Sequence, residues 1–159
     1  MTMQTATPST TLAQELALIT SVLDLMKQEQ QLLVSADTAG LDELTPRKAQ
    51  VVIEMTALAQ QRHARLAAAG FAADDGGMQA WVEGSGAADA LSGWQALLDK
   101  TREAKELNRI NGMLINKQLS HTQGLINAMR TPTSGGEAGV YGKSGQAAPG
   151  GPSKRYVVG

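Results

Sequence analysis

The sequence contains no cysteine, so neither a disulfide framework nor a thiolate metal site is open to it. Aromatic residues make up 3% of a chain that is 42% hydrophobic. The apolar mass is therefore Ala, Leu, Val, Ile and Met, which suits helix–helix packing better than a sandwich of β-branched and aromatic strands. Charge of one sign is also lacking: 14 Lys and Arg stand against 15 Asp and Glu, a net charge of −1. Without a basic excess, nucleic acid is not an expected partner. Long hydrophobic runs are missing too. The run from Leu16 to Leu23 is bracketed by Glu15 and Asp24, far short of the roughly 20 residues that cross a bilayer. The opening MTMQTATPSTT has no basic region of the kind that begins a signal peptide. These absences imply a cytoplasmic protein without membrane insertion. At 159 residues there is material for one domain with a modest core. The seven methionines suit gap filling or an adaptable binding surface.

What is present is helical periodicity. Residues 1–11 are polar and are expected to be disordered. Leu12, Leu16, Ile19, Leu23, Met26, Gln30 and Leu33 then alternate by four and three, the seam of a helix packing on another helix. Leu18, Val22, Leu25 and Leu32 widen that face. Asp37 to Gly40 reads as a break, with a short helical turn over Leu41 to Leu44. Thr45-Pro46 has the signature of a helix start, Thr as N-cap and Pro at the first helical position. The second helix is expected from Pro46 to about Ala69, presenting Val51, Val52, Met55, Leu58, Ala59 and Leu66, with Gly70 as its terminating glycine. Asp74 and Asp75 precede a short helix carrying Met78, Trp81 and Val82. A long helix follows, from Ala87 or Ser92 to Arg130, with Thr131-Pro132 closing it. Residues 131 to 159 hold eight glycines and three prolines and no period, the composition of a disordered segment. The expected fold is all-α: an elongated antiparallel helical bundle or coiled coil of three main helices with short connecting helices. Its parts are a disordered stretch over 1–11, a helical domain over 12–131 and a flexible tail over 132–159.

No constellation for chemistry emerges, and no enzyme, catalytic residue, metal or cofactor is expected. His63 and His121 lie on different helices without a ligand partner three or four residues away. His63, beside Arg62 and Arg65, reads as solvated, and His121 as part of a half-buried stripe. The adjacent pairs Asp42-Glu43 and Asp74-Asp75 diverge on a helix and read as caps. Residues 139–145, GVYGKSG, end like a phosphate-binding loop. Glu137 nevertheless stands where the first glycine belongs, and no strand precedes it.

The stretch ELNRINGMLIN, Glu106 to Asn116, is the anomaly. It puts three asparagines and a glycine into the middle of a helix, where Gly costs about 1 kcal/mol against Ala. Asn108, Gly112, Ile115, Leu119, Thr122, Ile126 and Met129 fall on one stripe. Leu107, Ile110, Leu114, His121, Leu125 and Ala128 fall on a neighbouring one. Together they exceed what two partner helices in a small bundle can cover. Gly112 makes a notch, and Asn108, Asn111 and Asn116 can hydrogen-bond across it, fixing register as polar seam residues do. The notch can serve the protein's own first helix or a foreign helix.

The chain resembles the FlgN family of flagellar export chaperones over nearly its whole length. LMKQEQQLL in the first helix, DTAGLDELTPRKAQ, QQRHARLAAAG, the region of Trp81 and Trp94, ELNRINGMLIN and the late VYGKSG carry the resemblance. It implies a cytoplasmic chaperone that binds the C-terminal helical segments of hook–filament junction (hook-associated) proteins and delivers them to the flagellar type III export gate. The export ATPase complex is a further candidate partner. It places substrate binding on the last helix, matching the surface of Ile115, Leu119, Ile126 and Met129; with the stripe and the notch, the expected substrate-binding residues are Asn108, Asn111, Gly112, Ile115, Leu119, Thr122, Ile126 and Met129. It places gate docking in the tail, at Tyr141 and Gly142. The free protein would be a monomer or a weak homodimer. The alternative is a self-assembling structural coiled-coil adaptor, in which the surplus stripe pairs copies of the chain.

Overall fold

The computed structural model describes residues 5–130. The expected disordered tail, with Tyr141 and Gly142, lies outside the described residues. Four helices follow one another: α1 (Leu12–Val34), α2 (Thr38–Ala68), α3 (Asp75–Ser85) and α4 (Ala88–Arg130). The described residues contain no strand, and the protein is all-α. The chain divides into two units, Met1–Ile115 and Asn116–Gly159, and α4 runs through the division.

In the first unit α1 and α2 lie antiparallel, since Glu15 meets Arg62 and Glu29 meets Lys48. α4 runs alongside α1 in the same direction. Leu12 lies against Gly93 near the start of both helices, and further along the Met26 carbonyl accepts from Asn111. The seam read from the sequence of α1 forms the core: Leu12, Ile19, Leu23 and Met26 are buried, joined by Val22 from the flanking row. Leu66 of α2, Met78 and Val82 of α3, and Trp94, Leu97 and Ala104 of α4 complete it. Leu66 and Met78 are fully enclosed, and burying such a side chain contributes about 1.5–3 kcal/mol.

Several boundaries differ from the expectation. Residues 5–11 are not loose throughout. Thr7 N–H donates to Thr10 Oγ1 at 2.8 Å, Thr10 N–H to the Thr7 carbonyl at 3.0 Å, and Thr11 is buried. A polar composition concealed a turn that is tied to α1 through Thr11. Residues 1–4 lie outside the described residues.

The second helix does not start at Pro46. It starts at Thr38, capped by Asp37, whose Oδ1 accepts from the Gly40 N–H at 2.9 Å. The break and the short turn expected over 37–44 are its first turns, and neither Thr45 nor Asp42-Glu43 is its cap. A proline inside a helix costs about 3 kcal/mol. Here the turns before Pro46 have their own cap and their own anchor, Leu44, which is 3% exposed. Val52, expected on the buried face, is exposed.

The ends of α1 and α2 share one geometry. After α2, Phe71 N–H reaches the Leu66 carbonyl and Gly70 N–H the Ala67 carbonyl, with Gly70 at φ +88°. That is a Schellman motif. After α1, Asp37 N–H reaches the Leu32 carbonyl and Ala36 N–H the Leu33 carbonyl, but the left-handed residue is Ala36, at φ +56°. Asp74 caps α3 as expected, accepting from Gly77 N–H at 2.7 Å. A Cβ on Gly77 would collide with the Ala72 carbonyl, so this position has room only for glycine.

Candidate functional site

The anomalous stretch of α4 contains two kinds of residue. Asn111 is 1% exposed. Its Nδ2 donates to the Met26 carbonyl at 3.0 Å and to Glu29 Oε1 at 2.8 Å. Glu29 is itself buried, and its Oε2 accepts from Lys48 Nζ at 2.8 Å. One carboxylate thus ties α4 and α2 to α1. Asn111 was expected among the substrate-binding residues as an asparagine able to hydrogen-bond across the notch; in the structure its amide is engaged by the protein's own first helix. Asn108 and Asn116 are exposed. Around Gly112, no described residue of another element would come within 4 Å of an added Cβ, so none of them fills this notch.

Beyond Asn111 the helix turns apolar and open. Met113 is 59% exposed, Ile115 42%, Leu119 59%, Leu125 51%, Ile126 36% and Met129 75%. Thr122 and Ala128 are exposed as well, and so is His121, which the stripe had suggested would be half-buried. Among the described residues none covers this end of the helix, and all ten residues from His121 to Arg130 are exposed. Water-exposed large apolar side chains that recur at helical spacing mark an interaction surface.

Next to this stretch, Arg109 forks onto Glu106, with Nη2 at 2.7 Å from Oε1 and Nε at 3.0 Å from Oε2. That hydrogen bond holds the Glu106 carboxyl below the ordinary carboxylate range and raises the Arg109 guanidinium. Arg109 Nη1 also lies 3.0 Å from the Met113 sulfur.

Sequence reasoning missed a second polar centre, in the core. Arg62, read as lying in a solvated cluster, is 5% exposed, and Glu15 is 3% exposed. Nε of Arg62 donates to Glu15 Oε2 at 3.0 Å and Nη2 to Oε1 at 3.1 Å, while Thr11 Oγ1 donates to Oε2 at 2.9 Å. The guanidinium carbon stands 4.9 Å from the centroid of the Trp94 ring, whose Nε1 donates to Gln79 Oε1 at 2.9 Å. His63, read as solvated, is half-buried. The available signal was spacing: Glu15 sits between Leu12 and Ile19, and Arg62 four residues before Leu66, each inside an apolar row.

Among the described residues no group of His, Asp or Glu could hold a metal ion. No helix of these residues is long and apolar enough to cross a membrane. A family model described as FlgN protein matches residues 1–149. No curated protein and no solved structure matches the chain. The family match takes in all four helices and every exposed position just described, so the chain belongs to the FlgN family, the chaperones of flagellar export.

Proposed function

We propose that this protein is a cytoplasmic chaperone for the C-terminal helical segments of hook-associated proteins of the hook–filament junction. The substrate's amphipathic helices dock on the exposed row Ile115, Leu119, Thr122, Ile126 and Met129. Asn108 and Gly112 precede that row on the same helix, and Asn111, four residues before Ile115 on the same face, ties the helix to α1. The observation that carries the reading is the exposure of this row in a helix whose earlier half is packed into a core. Covering it gains roughly 25 cal/mol per Å² of apolar surface. Ordering the substrate segment offsets much of that gain, so binding protects the segment and still permits release. No bond is made or broken, and no cofactor is involved. Release takes place at the flagellar type III export gate, with Tyr141 and Gly142 as the docking residues and the export ATPase complex as a further contact.

Titration calorimetry of the purified chain against C-terminal segments of junction proteins tests this. The expected result is a stoichiometric complex with a negative heat-capacity change. Absence of binding, together with a concentration-dependent oligomer of the chain alone, would turn the exposed row into a self-association surface and overturn the proposal.

A further inference from the structure

Asn111 and Gly112 form the one Asn-Gly pair in the chain. Such a pair has a chemistry of its own. The backbone nitrogen of the glycine attacks the side-chain carbonyl carbon of the asparagine. The bond from that carbon to Nδ2 breaks, and Nδ2 leaves as ammonia with the proton that the glycine nitrogen gives up. A succinimide ring is left. Water adds to one of its two carbonyls and opens it to aspartate or isoaspartate. Glycine favours the attack because it has no Cβ to hinder the approach. The other three asparagines, Asn108, Asn116 and Asn127, precede Arg, Lys and Ala.

The fold opposes every part of this reaction. Nδ2 of Asn111 is held at the Met26 carbonyl and at Glu29 Oε1, which fixes the side chain toward α1. Gly112 lies inside α4, where its N–H is directed at the carbonyl four residues back. The attack also puts negative charge on Oδ1. That atom is buried and has no hydrogen-bond partner among the described residues, so no donor is placed to stabilise the charge.

We infer that Asn111-Gly112 is a deamidation site that reacts only when this part of α4 comes off α1, and that its product keeps α4 from returning. Local opening frees Nδ2 and the Gly112 N–H and admits water to Oδ1. No described residue of another element shields Gly112. An aspartate at this position has lost the two donors that bound Met26 and Glu29, and it sets a second carboxylate against Glu29. Isoaspartate adds a backbone atom and breaks the helical register. A passing opening thereby becomes permanent. The inference is independent of what docks on the exposed row.

The test follows residue 111 of the full chain by peptide mass spectrometry at mildly alkaline pH, over a urea series that runs from none to beyond the unfolding transition. Asn111 should stay intact in the folded chain, and its rate should climb with urea toward that of the unfolded chain. Asn108, Asn116 and Asn127, already exposed, serve as internal controls and should change little across the series. Glu29→Ala, which removes one of the two acceptors, should age on the order of tenfold faster without urea, because the rate follows the open population. Equal rates at residue 111 in the folded and unfolded chain overturn the inference, and so does a folded Glu29→Ala variant that ages like the original. If that variant does not fold, the urea series decides alone. The aged chain, separated by ion exchange, should unfold at lower urea; an unchanged midpoint overturns the block to return.

Discussion

Asn111 of α4 and Glu29 of α1 are joined by a 2.8 Å hydrogen bond in a site from which water is almost excluded. The carboxylate's other oxygen holds Lys48 of α2. An asparagine is thus accepted in the middle of a long helix because it pins three helices at one point. Replacing it with Ala strands part of the Glu29 carboxylate and the Met26 carbonyl. The expected loss is about 1–3 kcal/mol in denaturant unfolding. Asn111→Asp should lose more at neutral pH, because it sets a second carboxylate against Glu29, and the excess should shrink in acid. If both variants unfold at the midpoint of the original protein, the pin has no energetic role.

Glu15, Arg62 and Trp94 make a second buried centre, with the guanidinium held between a carboxylate and an indole. Removing one charge leaves the other buried and unpaired, so Glu15→Ala and Arg62→Ala should each cost about 3–5 kcal/mol. The double variant Glu15→Leu with Arg62→Met should regain most of this, because an apolar pair of similar volume needs no counter-charge. A double variant as unstable as the sum of the singles would mean that the pair is worth more than its desolvation cost.

The helices were legible because the four–three spacing of α1 is a direct image of its buried face. The capping aspartate before α3 and the glycine after α2 were equally plain. Two things were not. Thr45-Pro46 carries every local mark of a helix start, and the helix nevertheless began earlier, where Asp37 and the burial of Leu44 outweighed local chemistry. Buried charges were the other: Glu15 and Arg62 look solvated one at a time, and only the fold brings two residues 47 positions apart into contact. At the candidate site, the stripe revealed the apolar row but not where intramolecular packing stops. That limit lies at Asn111, whose partner is in α1 and invisible from α4 alone.

Ala36 ends α1 in the left-handed region at φ +56°, where a Cβ is disfavoured, while the matching position after α2 is Gly70. Ala36→Gly should therefore raise stability by about 0.5–1 kcal/mol, the relief of strain being partly offset by a more flexible unfolded chain. Thermal unfolding reads this directly. A lower midpoint would mean that the left-handed geometry is not retained in solution.

Glu106 and Arg109 offer a check on the surface next to the open face. The hydrogen bond from Arg109 lowers the Glu106 pKa from its ordinary 4.5. A lowered carboxylate favours the folded state above the unfolded pKa, and that contribution fades as pH falls through the folded value. Both groups are exposed, so the titration itself is the readout. In Arg109→Ala the Glu106 carboxyl resonance should titrate at higher pH than in the original protein. An unmoved midpoint would show that the fork is not populated in solution.

The exposed row of α4 differs from the core in what its substitution should cost. Leu66, fully enclosed, should lose about 2–5 kcal/mol on replacement by Ala, because a cavity is left behind. Leu119, Ile126 and Met129 leave no cavity, since each already faces water. Changing them together to Gln, itself a good helix former, should keep the helical circular dichroism and change stability by no more than about 0.5 kcal/mol per site. The same triple change removes most of the apolar area available to a docked helix, so affinity for the substrate segment should fall by at least a hundredfold, about 2.7 kcal/mol. Stability and binding are then separable on one helix. A triple variant that binds as before would move the docking surface off this row, and one that unfolds would mean that the row packs against the protein itself in solution.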